Sequence, residues 1–205
     1  MSDFGQLCKD VMTKTNRPDL VDDIQLAVRQ ATTKYHLSEF WKRDIVEKSM
    51  IFDAVSTQFQ LGTENLERFR KLAYIIPLDN DGVTPIAGVK ITEITPDNIF
   101  DQFNAKRVNV FYLAGSNLNI RTKVGYIGFL MGWYQYPLVF PTNYKSWIAD
   151  IYPPIIVDEA TGQTFLSLGQ VDEANKYLDP IKGTIWGPRG HFMTLMANEI
   201  EGMAR

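Results

Sequence analysis

With 205 residues, 45% hydrophobic and 22% charged, the chain can bury one domain carrying a large insertion or two small domains, and it is too apolar for wholesale disorder. The net charge is −3 and no block of Lys and Arg stands along it, which argues against gripping a nucleic acid through its phosphates. A single cysteine, Cys8, excludes an intrachain disulfide, and the opening Met1-Ser2-Asp3-Phe4 lacks the basic and apolar stretches of a secretory leader.

Phe4, Leu7, Cys8 and Val11 fall at the spacing of one helical stripe and predict a first helix, with Ser2 placed to cap it. Asn16, ahead of Arg17-Pro18-Asp19, reads as the cap of a second helix. Its stripe of Leu20, Ile24, Ala27, Val28, Ala31 and Tyr35 runs to about His36, so the two helices suggest a hairpin. Past Phe40-Trp41 the period shortens. Ile51, Val55, Phe59 and Leu61 suit an extended segment, and 72–77, 89–94 and 108–113 add short strands rich in β-branched and aromatic residues. Ala114-Gly115-Ser116-Asn117 reads as a turn into a strand carrying Leu118, Ile120, Thr122, Val124 and Tyr126. Helical signals return with Tyr144 to Tyr152, which Pro153-Pro154 is expected to stop. Val157, Ala160, Thr161, Thr164 and Leu168 then make a stripe ending at Gly169, followed by a short helix over 172–178. Phe192, Leu195, Met196, Ile200 and Met203 form a last stripe, which suits either the bundle core or a docking face. The expected architecture is α+β: a helical bundle domain from residues 1–45 and 142–205, with a β-rich domain inserted over 46–141.

No charged residue occurs between Lys123 and Lys145, a length nominally able to span a bilayer. Its glycines, tyrosines, Pro137 and Pro141 describe strand and loop instead. Such an uncharged, aromatic-rich stretch suits burial against a partner, so Tyr126, Trp133, Tyr134 and Tyr136 are candidate interface residues, with Phe192, Leu195 and Met196 from the last stripe.

The search for chemistry is short. His36 and His191 are the only histidines: one closes a helix, the other sits in a Pro-Arg-Gly turn, and no acid or nucleophile frames either. One Cys and two remote His cannot close a zinc site, and Leu78-Asp79-Asn80-Asp81-Gly82 lacks the closing Glu of a calcium loop and reads as a polar turn. Gly125, Gly128 and Gly132 have no following Lys-Ser/Thr pair and read as strand glycines. The pairs Asp22-Asp23 and Asp158-Glu159 are expected on solvated helix faces. No catalytic residue, metal or cofactor is expected.

Three helical stretches carry a resemblance: Thr15-Asn16-Arg17-Pro18-Asp19-Leu20-Val21, Ala27-Val28-Arg29-Gln30-Ala31-Thr32, and Tyr35-His36-Leu37-Ser38-Glu39-Phe40-Trp41. Together with Trp147-Ile148-Ala149-Asp150-Ile151-Tyr152-Pro153, leading into Phe165-Leu166-Ser167-Leu168-Gly169, they resemble the head-to-tail adaptor (connector or neck) proteins of tailed bacteriophages. The resemblance covers about half of the chain and implies a virion structural protein, assembled in the host cytoplasm. It further implies a homo-oligomeric ring, a dodecamer, that binds the portal ring, offers a platform to tail or nozzle proteins, and lets the genome DNA pass. An acidic chain suits that passage, because each lysine–phosphate contact would add friction. The alternative expectation is a soluble carbohydrate- or peptide-binding module that uses the aromatic-rich β domain.

Overall fold

The computed structural model describes residues 3–51, 56–63, 66–100 and 105–178. The final stripe from Phe192 to Met203, and His191 with it, lies outside them. The fold is α+β, and the chain divides into two compact units: one takes in residues up to Glu39 and from Pro137 onward, the other is Phe40–Tyr136.

In the helical unit, α1 (Phe4–Thr15) buries the expected Phe4, Leu7, Cys8 and Val11. Its cap is Asp3, not Ser2: the Gly5 N–H donates to Asp3 Oδ1 at 3.1 Å. Asn16 ends α1 instead of starting α2. It takes the left-handed conformation (φ 52°) and its N–H donates to Met12 O, the C-terminal use of an Asn whose short side chain tolerates positive φ. The linker is held by a two-pronged pair from Arg17 to Asp19, both contacts 2.8 Å. Helix α2 (Val21–Ser38) starts without a side-chain cap, but Asp22 and Asp23 lie exposed in its first turn, where the helix dipole favours them.

The second half of this unit begins with a small hairpin, β8 (Leu138–Phe140) and β9 (Asn143–Lys145). Ser146 caps α3 (Trp147–Ile151), its Oγ accepting from Ala149 N–H at 3.1 Å. Pro153 and Pro154 stop α3 as expected, but they also open α4 (Pro153–Ser167), where a proline in the first turn forfeits no helical hydrogen bond. Helix α4 is buried around its circumference: Ile155, Ile156, Val157, Ala160, Thr161, Thr164 and Phe165 are all inside, and α1, α2, α3 and α5 (Val171–Leu178) pack on it. Gly162 lets α5 approach, since a Cβ there would fall 2.4 Å from Leu178 Cγ. Gly169, at φ 72°, turns the chain between the two helices.

The β unit carries two sheets. One has the order β1-β7-β3, from β1 (Ile45–Ile51), β7 (Gly128–Gln135) and β3 (Phe69–Pro77); both outer strands run antiparallel to β7. The other has the order β2-β6-β5-β4, from β2 (Ser56–Gln60), β6 (Asn117–Arg121), β5 (Val110–Ala114) and β4 (Thr92–Glu93). Their shared core includes Met50, Leu72, Phe111, Leu118, Phe129 and Trp133. The strand expected over 89–94 shrinks to β4, and the strand expected to reach Tyr126 stops at Arg121. Gly115, at φ 60°, makes the anticipated turn between β5 and β6.

The unit boundaries fall at 39/40 and 136/137, not at 45/46 and 141/142. The reason is packing. Trp41 is buried and the Phe40 ring lies 5.0 Å from Tyr134 of β7, whereas Tyr144 of β9 pairs with the helices: its ring lies 5.2 Å from Phe4 and its hydroxyl 2.7 Å from Thr32 Oγ1.

The uncharged stretch around Gly128 is thereby explained inside the unit. Strand β7 is the central strand of its sheet, buried on both faces, and two of its glycines are points of close approach. A Cβ on Gly128 would lie 2.4 Å from the Met50 carbonyl oxygen, which is backbone and cannot swing away. A Cβ on Gly132 would lie 2.4 Å from Cζ of Tyr74, the far end of a side chain. Gly128→Ala is therefore expected to cost about 3 kcal/mol and Gly132→Ala about 1 kcal/mol, the usual range for overpacking. Urea unfolding of both variants checks the order; equal costs would contradict it.

Candidate functional site

Strand geometry splits the aromatic residues expected at an interface. Neighbours on β7 point to opposite faces. Trp133 is 2% exposed and its Nε1–H donates to Glu67 O at 3.0 Å, so it is a core residue and not a contact residue. Tyr126 is half-buried, edge-on to Phe129 at 6.1 Å. Tyr134 is half-buried on the other face, and Tyr136 is 45% exposed at the end of β7. Phe192, Leu195 and Met196 lie outside the described residues.

What gathers at Tyr134 is a cation–aromatic cluster. The Phe40 ring, 44% exposed, lies against Tyr134 with Arg70 Cζ 4.3 Å and Lys71 Nζ 4.8 Å from its centroid. Cations over an aromatic face are held by the ring quadrupole, so this exposed ring is kept in place and offers a firm apolar contact. Close by, Arg68 holds the end of β7 through Gln135 Oε1 and through Tyr136 O at 2.6 Å. Burial lowers the Arg68 pKa, with the neighbouring Glu67 and Asp44 acting against that shift.

The helical unit holds its polar chemistry inside. Glu159 is 4% exposed, which corrects the expectation of a solvated Asp158-Glu159 face. Its carboxylate accepts from Lys34 Nζ, from Tyr35 OH at 3.2 Å and from Gln163 Nε2 at 3.1 Å. Asp158 pairs with Lys14. Together these pairs tie α4 to α1 and α2. His36 is likewise inside: its Nε2 lies 3.0 Å from Ser146 Oγ and its ring meets Trp147 edge-on at 5.8 Å, so it joins α2 to the cap of α3 and is not merely a polar helix end. Sequence spacing could not show Lys34, Tyr35 or Ser146 as partners, because they lie far along the chain from the groups they meet; Gln163 is the local exception, four residues from Glu159. One signal was present: the pair Asp158-Glu159 stands in the otherwise uncharged run 155–165.

His36 and Tyr144 both meet Ser146; burial chiefly raises the Tyr144 pKa, the hydrogen bonds with Thr32 and Ser146 oppose that shift, and Asp150 and Cys8 add to it. Among the described residues, no group of three or more His, Cys, Asp or Glu side chains is placed to hold a metal ion. The loop at Asp79–Thr84 is an Asx turn: Asp81 Oδ1 accepts from the Val83 and Thr84 N–H groups at 2.9 and 2.8 Å, and Gly82 takes φ 71°. No described helix is long and apolar enough to cross a membrane. Compared with protein-family models and with curated protein sequences, the chain matches none.

Two measurements test this arrangement. Lys34→Met leaves the buried Glu159 carboxylate without its cation and is expected to cost about 1–3 kcal/mol, moderated because Lys34 is itself 44% exposed. The same change in a Glu159→Gln background should cost much less, and additive costs in a double-mutant cycle would contradict the coupling. The Cys8 thiol is pushed up from 9.0 to about 11, first by burial and then by the Asp3 carboxylate. Its contribution to stability is complete below pH 9 and is lost as pH rises to about 11, because the unfolded thiol ionises first. The urea-measured stability of Cys8→Ala should therefore fall less steeply across that window than that of the unaltered chain, and equal slopes would contradict the shift.

Proposed function

We propose that the chain is a non-catalytic structural protein that forms a ring-shaped head-to-tail adaptor between a phage portal and its tail. One observation carries the reading. The two sequence blocks that resemble phage adaptors, 15–41 and 147–169, lie far apart in the chain, yet α4 of the second packs on α2 of the first within one compact unit. A resemblance confined to unrelated surface helices would not require them to meet. The polar groups brought together in that unit tie helices to one another, which suits a rigid scaffold. The net charge of −3 suits a channel through which DNA passes without adhering.

In this reading the protein acts in the virion neck as a homo-oligomer and works by shape, binding the portal ring on one side and tail or nozzle proteins on the other. The decisive experiment mixes the purified chain with portal rings from the same phage and examines them by electron microscopy. A second ring stacked on the portal, with one adaptor per portal subunit, is the expected result. Portal rings that stay bare at saturating protein would overturn the proposal.

A further inference from the structure

Helix α2 leaves one of its sides uncovered. Asp22, Leu26, Arg29 and Thr33 follow one another at helical spacing and share a face, with Gln30 beside them. Leu26 is 49% exposed, and Phe140 of β8, 58% exposed, lies with its ring centroid 5.2 Å from Arg29 Cζ. A cavity of about 360 Å³ opens there, lined by Leu26, Arg29, Gln30, Thr33, Lys34 and Val139. Among the described residues Asp22, Asp23 and Arg29 take part in no ion pair, and the Arg29 Nε–H is buried without an acceptor. Lys34 already serves the buried Glu159. The stripe thus has carboxylates at one end, cations at the other and an exposed leucine between them. The helix dipole accounts for acids in the first turn, but not for the exposed Leu26 and Phe140 or for an arginine without an anion.

We propose that this face pairs with the same face of a second copy of the chain, in a two-fold dimer with Leu26 on Leu26 and Arg29 of each copy holding Asp22 of the other. The register of α2 supports it. Asp22 lies four residues before Leu26 and Gln30 four residues after it. A second α2 crossing antiparallel at Leu26 therefore sets its Asp22 opposite Gln30, beside Arg29 and the mouth of the cavity, and takes up the first copy's Asp22 in the same way. A two-fold contact requires a patch that is complementary to itself, and this order of charges about an apolar centre meets that requirement. Arginine among apolar neighbours is also the composition of an interface centre. The contact is one helix face and the edge of a hairpin, so the dimer is weak, with a Kd on the order of 10–100 µM. Closed rings join unlike surfaces, so this pairing of like surfaces is a separate contact and does not rest on the adaptor reading.

Sedimentation of the full chain from about 1 µM to about 1 mM tests this, and a monomer–dimer equilibrium that weakens with added salt is expected. Arg29→Glu and Asp22→Lys each bring like charges together at both ends of the contact and should weaken the dimer about tenfold or more. An equimolar mixture of the two variants should associate as tightly as the unaltered chain, because each mixed dimer carries one native pair and one reversed pair. Leu26→Cys should cross-link to a dimer under diamide, whereas Val171→Cys, at a site 54% exposed, should not; the native Cys8 is buried. That cross-link decides the matter even if Arg29→Glu fails to fold. A chain that stays monomeric throughout, a dimer indifferent to both reversals or not restored by mixing them, or cross-linking at Val171 in preference to Leu26 would overturn the proposal.

Discussion

Burial of α4 is the constraint on which the helical unit depends. The helix has no fully solvated side, so it can exist only where neighbours close around it, and two of those neighbours, α1 and α2, come from a distant stretch of the chain. That requirement makes the β unit an insertion. It also accounts for Glu159: a carboxylate on a helix buried all round must carry its partners inside, and Lys34, Tyr35 and Gln163 supply them. The pair from Lys14 to Asp158 adds a second tie from α1 to the same helix. His36 and Tyr144 extend the pattern, since each bonds a side chain contributed by the opposite stretch.

In the β unit the central strand sets the terms. β7 is flanked on both edges and covered on both faces, which demands uncharged side chains and, at Gly128 and Gly132, the absence of a side chain. Charge appears at its margin, where Arg70 and Lys71 sit over Phe40. The long Asn109–Arg121 hairpin and β2 complete a second sheet against this one. Among the described strands, β1 and β3 are the outer strands of the sheet that β7 centres.

Much of the helical architecture was legible because amphipathic spacing reports one buried face. Phe4, Leu7, Cys8 and Val11, and likewise Ile24, Ala27, Val28 and Tyr35, are buried as their spacing implies. Spacing failed where burial is not one-sided. In α4 it picked out Val157 and Thr164 but passed over Ile155 and Ile156, and it took Glu159 for a surface residue. Caps were misread for a local reason: Asn suits both ends of a helix, and only the backbone at Asn16 shows which end it serves. In the β unit, composition marked 124–144 as unusual, but composition cannot distinguish a partner-facing strand from a central one, and Trp133 proved central. The segment 89–94 reads as a strand because its residues favour one, yet only residues 92–94 meet β5, through the pairs at Thr92 and Glu93 and the Ile94 N–H bond to Phe111 O.

Native-state hydrogen exchange tests the central claim most directly, because it measures the opening free energy of each helix separately. If α4 is stable only through its distant neighbours, the slowest amides of α1, α2 and α4 should open together, with one free energy and one dependence on denaturant. Exchange of α1 and α2 through an opening several kcal/mol easier than that of α4 would contradict the account.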